Sequence, residues 1–266
     1  MTTKLYPSDL TNPQWEIIKE LIPASPRRGR KRELDMQWVV NAILYIVVGG
    51  VQWRMLPREY PKWKSVYHYF RLWRQDGTWK RIHDTVRALL RRKLGKHKHP
   101  SAGCLDSQSV KTTAIGGERG YDGGKQIKGR KRHVLVDTLG LLLSVVVTAA
   151  SVSDPAGARL LLAMWGGYCK KLRCIWVGCP LGRGTYRGTL LEWAATRIKA
   201  VLQPVLRTDN IKGFVVLPKR WIVQRTFSWL GQSRRLSKDY EYLTQSSEAM
   251  IYIAMTRIML RRLEPN

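Results

Sequence analysis

The sequence predicts an α/β protein, a mixed sheet with flanking helices preceded by a small all-α region of helix-turn-helix-like character. Three observations carry this. Helical patterns fill the chain before about residue 100. Between Ser101 and Asp154 lie three short apolar, β-branched runs, Cys104–Val110, Lys131–Asp137 and Leu141–Val147. Beyond them, strand-like and helix-like stretches alternate, as they do when helices cover a sheet.

The 266 residues are enough for one large or two small domains, and 44% hydrophobic residues build a real core. Forty-seven Lys+Arg against 19 Asp+Glu give a formal charge of +28. A compact fold with that charge repels itself unless a polyanion neutralises it, which makes nucleic acid the expected partner. The longest apolar run, Trp38 to Val48, is too short to span a bilayer, and Met1-Thr2-Thr3-Lys4 opens without a secretory apolar segment. The expected location is cytoplasmic and nucleoid-associated, with no membrane partner. Cys169, Cys174 and Cys179 are separated by four residues each and no His lies near them, so Cys104 and these three read as free thiols in a reducing compartment rather than as zinc ligands.

Taken in order, Thr11-Asn12-Pro13-Gln14 is a capping box with Pro in the first turn and starts a helix that runs to about Leu21. Arg27-Arg28-Gly29-Arg30-Lys31-Arg32 places five cations in a Gly-bearing loop, suited to phosphate contact or to simple solvation. Asp35 opens a second helix, apolar nearly all round, that Gly49-Gly50 ends. Trp63, Val66, Phe70 and Trp73 recur at helical spacing and leave Lys64, His68, Arg71 and Arg74 on the remaining surface. After Gly77-Thr78, a fourth helix turns Trp79, Ile82, Val86 and Leu90 inward, with Lys80, Arg81, Arg87, Arg91 and Arg92 expected to face out. Two such helices fit a helix-turn-helix or a plain bundle with a basic face. Arg91 to Pro100 links residues 1–99 to a second domain, residues 100–266.

In that second domain the three apolar runs read as an antiparallel meander whose last two strands turn at Asp137-Thr138-Leu139-Gly140. The preceding segment, Gly116 to Arg132, reads as a Gly-rich loop carrying Lys125, Lys128 and Arg130, fit for phosphate binding or for plain exposure. A helix from Asp154 to about Trp165, a strand Leu172–Val177, a helix Leu190–Lys199, a strand Ala200–Leu206 and two helices, Pro218–Leu230 and Ser247–Arg262, complete the chain. Three strands, then helix, strand, helix and strand, is the order of a ribonuclease H-like fold. Asp106 is a lone acid amid Leu105 and Val110, positions that favour burial, and such an acid needs a partner, either a metal ion or a strand-end contact.

Five stretches, Tyr6-Pro7-Ser8-Asp9-Leu10-Thr11, Gln52-Trp53-Arg54-Met55-Leu56-Pro57, Asp106 to Thr112, Lys128-Gly129-Arg130-Lys131-Arg132-His133 and Arg220 to Leu230, resemble the insertion-sequence-five family of DDE transposases. The resemblance spans nearly the whole chain. It implies DNA cleavage and joining at the terminal inverted repeats of a mobile element, a homodimer in the synaptic complex, and three carboxylates around two Mg2+ ions about 3.5 to 4 Å apart. Asp106 matches the first of these acids. Where the family ends its fourth strand in an Ala-Asp-Gly-Gly-Tyr-like run, this chain reads Gly178-Cys179-Pro180-Leu181-Gly182-Arg183-Gly184-Thr185, with no acid between Trp176 and Tyr186. Gln224 stands where the family places the helix Glu. Asp137, in the strand-two turn, and Asp154, at the start of the following helix, are the acids that could substitute, and capping roles suit them better than ligation. The expectation is a family member that retains DNA binding through Arg28, Arg30, Lys31, Lys64, Arg71, Arg74, Lys125, Lys128 and Arg130, with impaired strand-transfer chemistry. The alternatives are a working transposase with an altered metal shell and a domesticated DNA-binding regulator.

Overall fold

The computed structural model describes residues 5–25, 32–165, 171–178, 189–205 and 219–265. In chain order these form α1 (Asn12–Ile18), α2 (Met36–Gly49), α3 (Trp63–Gln75) and α4 (Thr78–Lys93). Next come β1 (Ala102–Lys111), β2 (Gly120–Asp122), β3 (Ile127–Asp137), β4 (Leu142–Ala149), α5 (Asp154–Trp165), β5 (Cys174–Gly178), α6 (Thr189–Arg197) and β6 (Val201–Val205). The chain closes with α7 (Arg220–Gly231) and α8 (Thr244–Leu263). Contacts divide it into two compact units that are discontinuous in sequence: Met1–Lys96 with Leu230–Ser237 and Ala249–Asn266, and His97–Trp229 with Lys238–Glu248. A linear cut after residue 99 assigns all the later segments to one domain, whereas the compact units divide them.

The helical unit begins as the sequence dictates. Thr11 Oγ1 accepts from Gln14 N and Gln14 returns the bond to Thr11 N, closing the capping box on α1. Asp35 caps α2 through Gln37 N, and α2 ends on Gly50 at φ 72°, a left-handed conformation for which Gly has no steric penalty. A Cβ at Gly50 would also press on Arg234. The α2 residues Val39, Ile43 and Ile46, with Val66, Phe70, Trp73, Ile82 and Val86 from α3 and α4, are fully buried or nearly so. Late residues of the chain belong to this same unit: Gln14 Nε2 donates to Glu264 O at 2.7 Å, and Tyr252 sits edge-on to His83 at 4.9 Å. His83 is completely buried, and burial pushes its pKa down to about 4, so it packs as a neutral ring.

The second unit is a six-stranded mixed sheet in the order β2-β3-β1-β5-β6, with β4 also paired to β3. Strand β1 is antiparallel to β3 from Gly103↔Asp137 to Lys111↔Gly129 and parallel to β5, which is parallel to β6. Strands β2 and β4 both pair with β3, β2 near Ile127 and β4 from Arg130 to Val136. Central antiparallel strands followed by parallel ones through helical crossovers are consistent with the ribonuclease H-like order. Leu105, Leu135, Leu143, Val146, Ile175 and Val177 from one face pack against Ala158, Leu161 and Leu162 of α5 and Leu190 and Ala194 of α6.

One segment departs from the sequence reading. The expected loop Gly116–Arg132 contains β2, and β3 starts at Ile127, so residues 128–132 belong to a strand rather than a loop. The pairing opposite β1 continues through them and outweighs their polar composition. The exposed N–H row of β4 is closed by carboxylates: Glu248 accepts from Val147 N at 2.9 Å and Glu118 accepts from Ala149 N at 3.1 Å.

Burial raises the Glu248 pKa from its ordinary 4.5 to about 7, with the Val147 bond opposing the shift. The folded chain therefore holds a proton that the unfolded chain has released, and the associated stability is fully present below about pH 4.5 and lost as pH rises through about 7. Glu248→Gln keeps the acceptor and removes the titration. Chemical denaturation is expected to show the parent losing about 2 kcal/mol relative to this variant between pH 5 and pH 8. Parallel pH profiles would contradict the assignment.

Candidate functional site

Strand alternation decides what surrounds Asp106. Cys104, Asp106 and Gln108 point to one face of β1, together with their β3 partners Val136, Val134 and Arg132 and with Trp176, the β5 partner of Cys104. This is the face α7 covers: Cys104 Sγ contacts Lys219 O at 3.4 Å, and Thr226 Oγ1 donates to Gly140 O at 2.7 Å. The fold thus brings Asp106 to the side of the sheet whose covering helix carries Gln224. Gln224 lies on the exposed stripe of α7 with Trp221 and Ser228, while Ile222, Val223 and Thr226 are buried.

Asp106 shares its face of the sheet with Cys104 and Arg132. Its Oδ1 accepts from Ser107 N at 2.8 Å. Arg132 is buried on the same face, and burial pulls its pKa down to about 10. Lys219 Nζ lies 4.1 Å from the centre of the Trp176 ring. Burial pushes the Cys104 thiol up to about 12, which keeps it neutral and removes it as a thiolate donor. Gly178, one step along β5 from the Leu105↔Val177 pair, offers no side chain. Residues 179–188 lie outside the described residues, but their sequence contains no acid. Among the described residues no group of three His, Cys, Asp or Glu side chains is arranged to hold a metal.

The other two acids are committed elsewhere. Asp137 is buried in the β3–β4 turn and its Oδ1 accepts from Leu139 N at 2.9 Å and Leu141 N at 2.8 Å. Asp154 lies across the sheet from Asp106, on the face of Ser107. Its Oδ1 accepts from Ser107 Oγ at 2.7 Å and pairs with Lys131 Nζ at 3.2 Å. Lys131 also pairs with Asp122 at 3.2 Å, and Asp122 accepts from Ser109 Oγ at 2.6 Å. The capping role expected of Asp154 falls to Ser153, whose side chain accepts from Ala156 N.

The cations sort into surface and interior. On α3, Lys64 and Arg71 are exposed and Arg74 half-buried, on the side opposite Val66, Phe70 and Trp73. Tyr67 and Leu72, 39% and 40% exposed, interleave with them. Lys64, Tyr67, Arg71 and Arg74 follow helical spacing and form a single stripe. Tyr67, whose ring packs on Trp53 and Phe70 while staying partly exposed, gives no signal in the sequence, because an aromatic in an aromatic-rich helix reads as core. The outward face expected of α4 is partly wrong: Arg87 and Arg91 are buried, and Arg87 Nη1 bonds Asp84 Oδ1 at 2.6 Å. Lys125 and Lys128 are exposed, with Lys125 Nζ 3.3 Å from Ser107 O. Arg130 is fully buried and corrects the expectation of a phosphate contact. Its guanidinium reaches Asp239 Oδ1 at 3.0 Å, Glu241 O at 2.7 Å, Tyr242 O at 2.7 Å and Glu118 O at 2.8 Å, so it ties β3 to the segment before α8. Removing one partner of such a buried pair typically costs about 3 to 5 kcal/mol. Arg28, Arg30 and Lys31 lie outside the described residues.

Residues 10–83 match a family described as transposase of the IS4/5 family, and residues 97–177 and 186–261 match two families each described as a transposase DDE domain. An insertion element IS402 uncharacterized 16.2 kDa protein from Burkholderia cepacia is 29% identical over 112 residues, 40% of this chain and 75% of that protein.

If the α3 stripe contacts duplex DNA, Lys64→Ala, Arg71→Ala and Arg74→Ala together are expected to weaken binding about tenfold or more and to reduce the slope of log affinity against log salt by about 3. Helix content by circular dichroism should be unchanged, since all three point away from the core. An unaltered salt slope would remove α3 from the interface.

Proposed function

The chain belongs to the IS4/5 family of transposases and carries DDE transposase domains, with DNA as its substrate, and from that premise we propose that it binds the terminal inverted repeats of an insertion sequence and is impaired in cutting and joining them. DDE transposase domains act with divalent metal ions, and the residues here do not fit that requirement for Mg2+. The observation that supports the reading is the acid inventory around Asp106: its carboxylate lies on the α7 face, α7 carries Gln224 where the resemblance calls for Glu, and no acid lies between Trp176 and Tyr186. A neutral amide offers an oxygen but no charge to hold a hard dication.

Binding rests on different residues. The α3 stripe of Lys64, Tyr67, Arg71 and Arg74 has the width and charge to enter a major groove and neutralise phosphates. Two inverted ends related by a two-fold axis call for a two-fold pair of chains, so a homodimer is the assembly inferred for synapsis at the nucleoid. No helix among the described residues is long and apolar enough to cross a membrane. A domesticated regulator would use the same α3 surface without chemistry, and the neutral Gln224 favours it over a working transposase.

The full chain with Mg2+ is expected to bind DNA bearing its cognate ends and leave it uncut. Gln224→Glu alone should restore little. Replacing residues 177–185 by Ala-Asp-Gly-Gly together with Gln224→Glu should restore metal-dependent nicking, and Asp106→Asn in that background should abolish it. Nicking by the unaltered chain at a rate similar to the repaired one would overturn the reading.

A further inference from the structure

A second basic surface lies at the open end of the β1-β2-β3 ladder, in the sheet unit and remote in sequence from α3. Lys111 ends β1, Arg119 precedes β2, and Tyr121 of β2 sits directly across from Lys128 of β3. These side chains line a depression of about 460 Å3 together with Thr112, Thr113, Ala114 and Gln126. The lining holds three cations, one aromatic ring and several neutral hydrogen-bonding groups, and no carboxylate. All three cations are exposed, and none takes part in an ion pair recorded among the described residues. The neighbouring acids are turned to other tasks: Asp122 pairs with Lys131 on the opposite face, and Glu118 accepts from Ala149 N. Tyr121 is 56% exposed, and nothing in the core requires its ring.

Three unpaired cations around one depression select a polyanion, and the distribution of the cations over three strand ends suits successive phosphates better than a single ion. The exposed Tyr121 ring narrows the class further. A phenol face stacks on a base, and in duplex DNA the base faces are already occupied by their neighbours, so a stacking platform is useful only to a strand whose bases are unpaired. We propose that Lys111, Arg119, Tyr121 and Lys128 form a site for single-stranded DNA, with phosphates on the three cations and one base stacked on Tyr121. This goes beyond duplex recognition by α3 and stands on separate residues, so either can fail alone.

The test uses the full chain and fluorescence anisotropy with a labelled oligo(dT) of about 15 nucleotides and a labelled duplex of the same length. Tyr121→Ala is expected to weaken oligo(dT) binding about tenfold, Tyr121→Trp to preserve it, and neither to change duplex affinity by more than about twofold. Lys111→Gln, Arg119→Gln and Lys128→Gln together should lower the oligo(dT) salt slope by about 2, the value for three phosphates on a single strand. The α3 triple variant should leave oligo(dT) affinity in place. Because all four positions are exposed, folding is not at stake, and circular dichroism checks it directly. Unchanged oligo(dT) affinity in Tyr121→Ala, or equal losses toward single strand and duplex, would overturn the proposal.

Discussion

Strand β1 is paired antiparallel to β3 from Gly103 to Lys111 and parallel to β5 from Ala102 to Leu105, and that pairing fixes the direction of its side chains. A shift of one residue would exchange the two faces, burying Asp106 among Leu161, Leu162 and Ile175 and turning Leu105 toward α7. The polar groups of the sheet unit obey the same partition. Ser107, Ser109 and Lys131 meet Asp122 and Asp154 on the α5 side, where one lysine lies between two carboxylates and two hydroxyls fill remaining acceptor sites. Asp106 lies on the other side. No side-chain rearrangement carries Asp154 through the sheet, so the register itself excludes it from acting beside Asp106.

The same partition bears on the charge of +28. Arg87, Arg91, Arg130, Lys131, Arg132 and Arg235 are all buried. Taking a guanidinium out of water is tolerable only where carboxylates or carbonyls replace the lost hydration, as they do for Arg130 and for Arg235, which donates to Val51 O. A count of basic residues therefore overstates the surface available to DNA. What remains outside includes α3 and the end of the β1-β2-β3 ladder, where the exposed rings of Tyr67 and Tyr121 accompany exposed cations.

Much of this was legible in the sequence. The capping box at Thr11 and Gln14, the stop at Gly50, the Asp137–Gly140 turn and the alternation of strands and helices after residue 154 are local signals, and the structure follows them. The burial of Arg130 was hidden because its partners, Asp239, Glu241 and Tyr242, are more than a hundred residues away. The extension of β3 back to Ile127 depends likewise on pairing with β1, which outweighs a Gly- and Lys-rich composition. The inner face of α4 was misjudged at Arg87 for a related reason: its aliphatic stem is buried and its head is held by Asp84, one helical turn away. Asp106 stands out in the sequence as an acid in an apolar strand, but only the sheet register shows which groups share its face. Motif residues of the helical unit turn out to be architectural. Asp9 gathers Leu5 N, Tyr6 N and Tyr60 OH, and Trp53 packs on Tyr67 and Phe70.

On the proposed reading, binding and chemistry depend on separate parts of the chain, and the lack of an acid at Gln224 and between Trp176 and Tyr186 is what separates them. The most direct test is a titration of the full chain with Mn2+ in the presence of bound duplex, reading free ion by electron paramagnetic resonance. The account predicts no saturable site on the protein tighter than about millimolar, the weak end of carboxylate-based cation sites. Two ions held per chain at about micromolar affinity, and lost in Asp106→Asn, would contradict it.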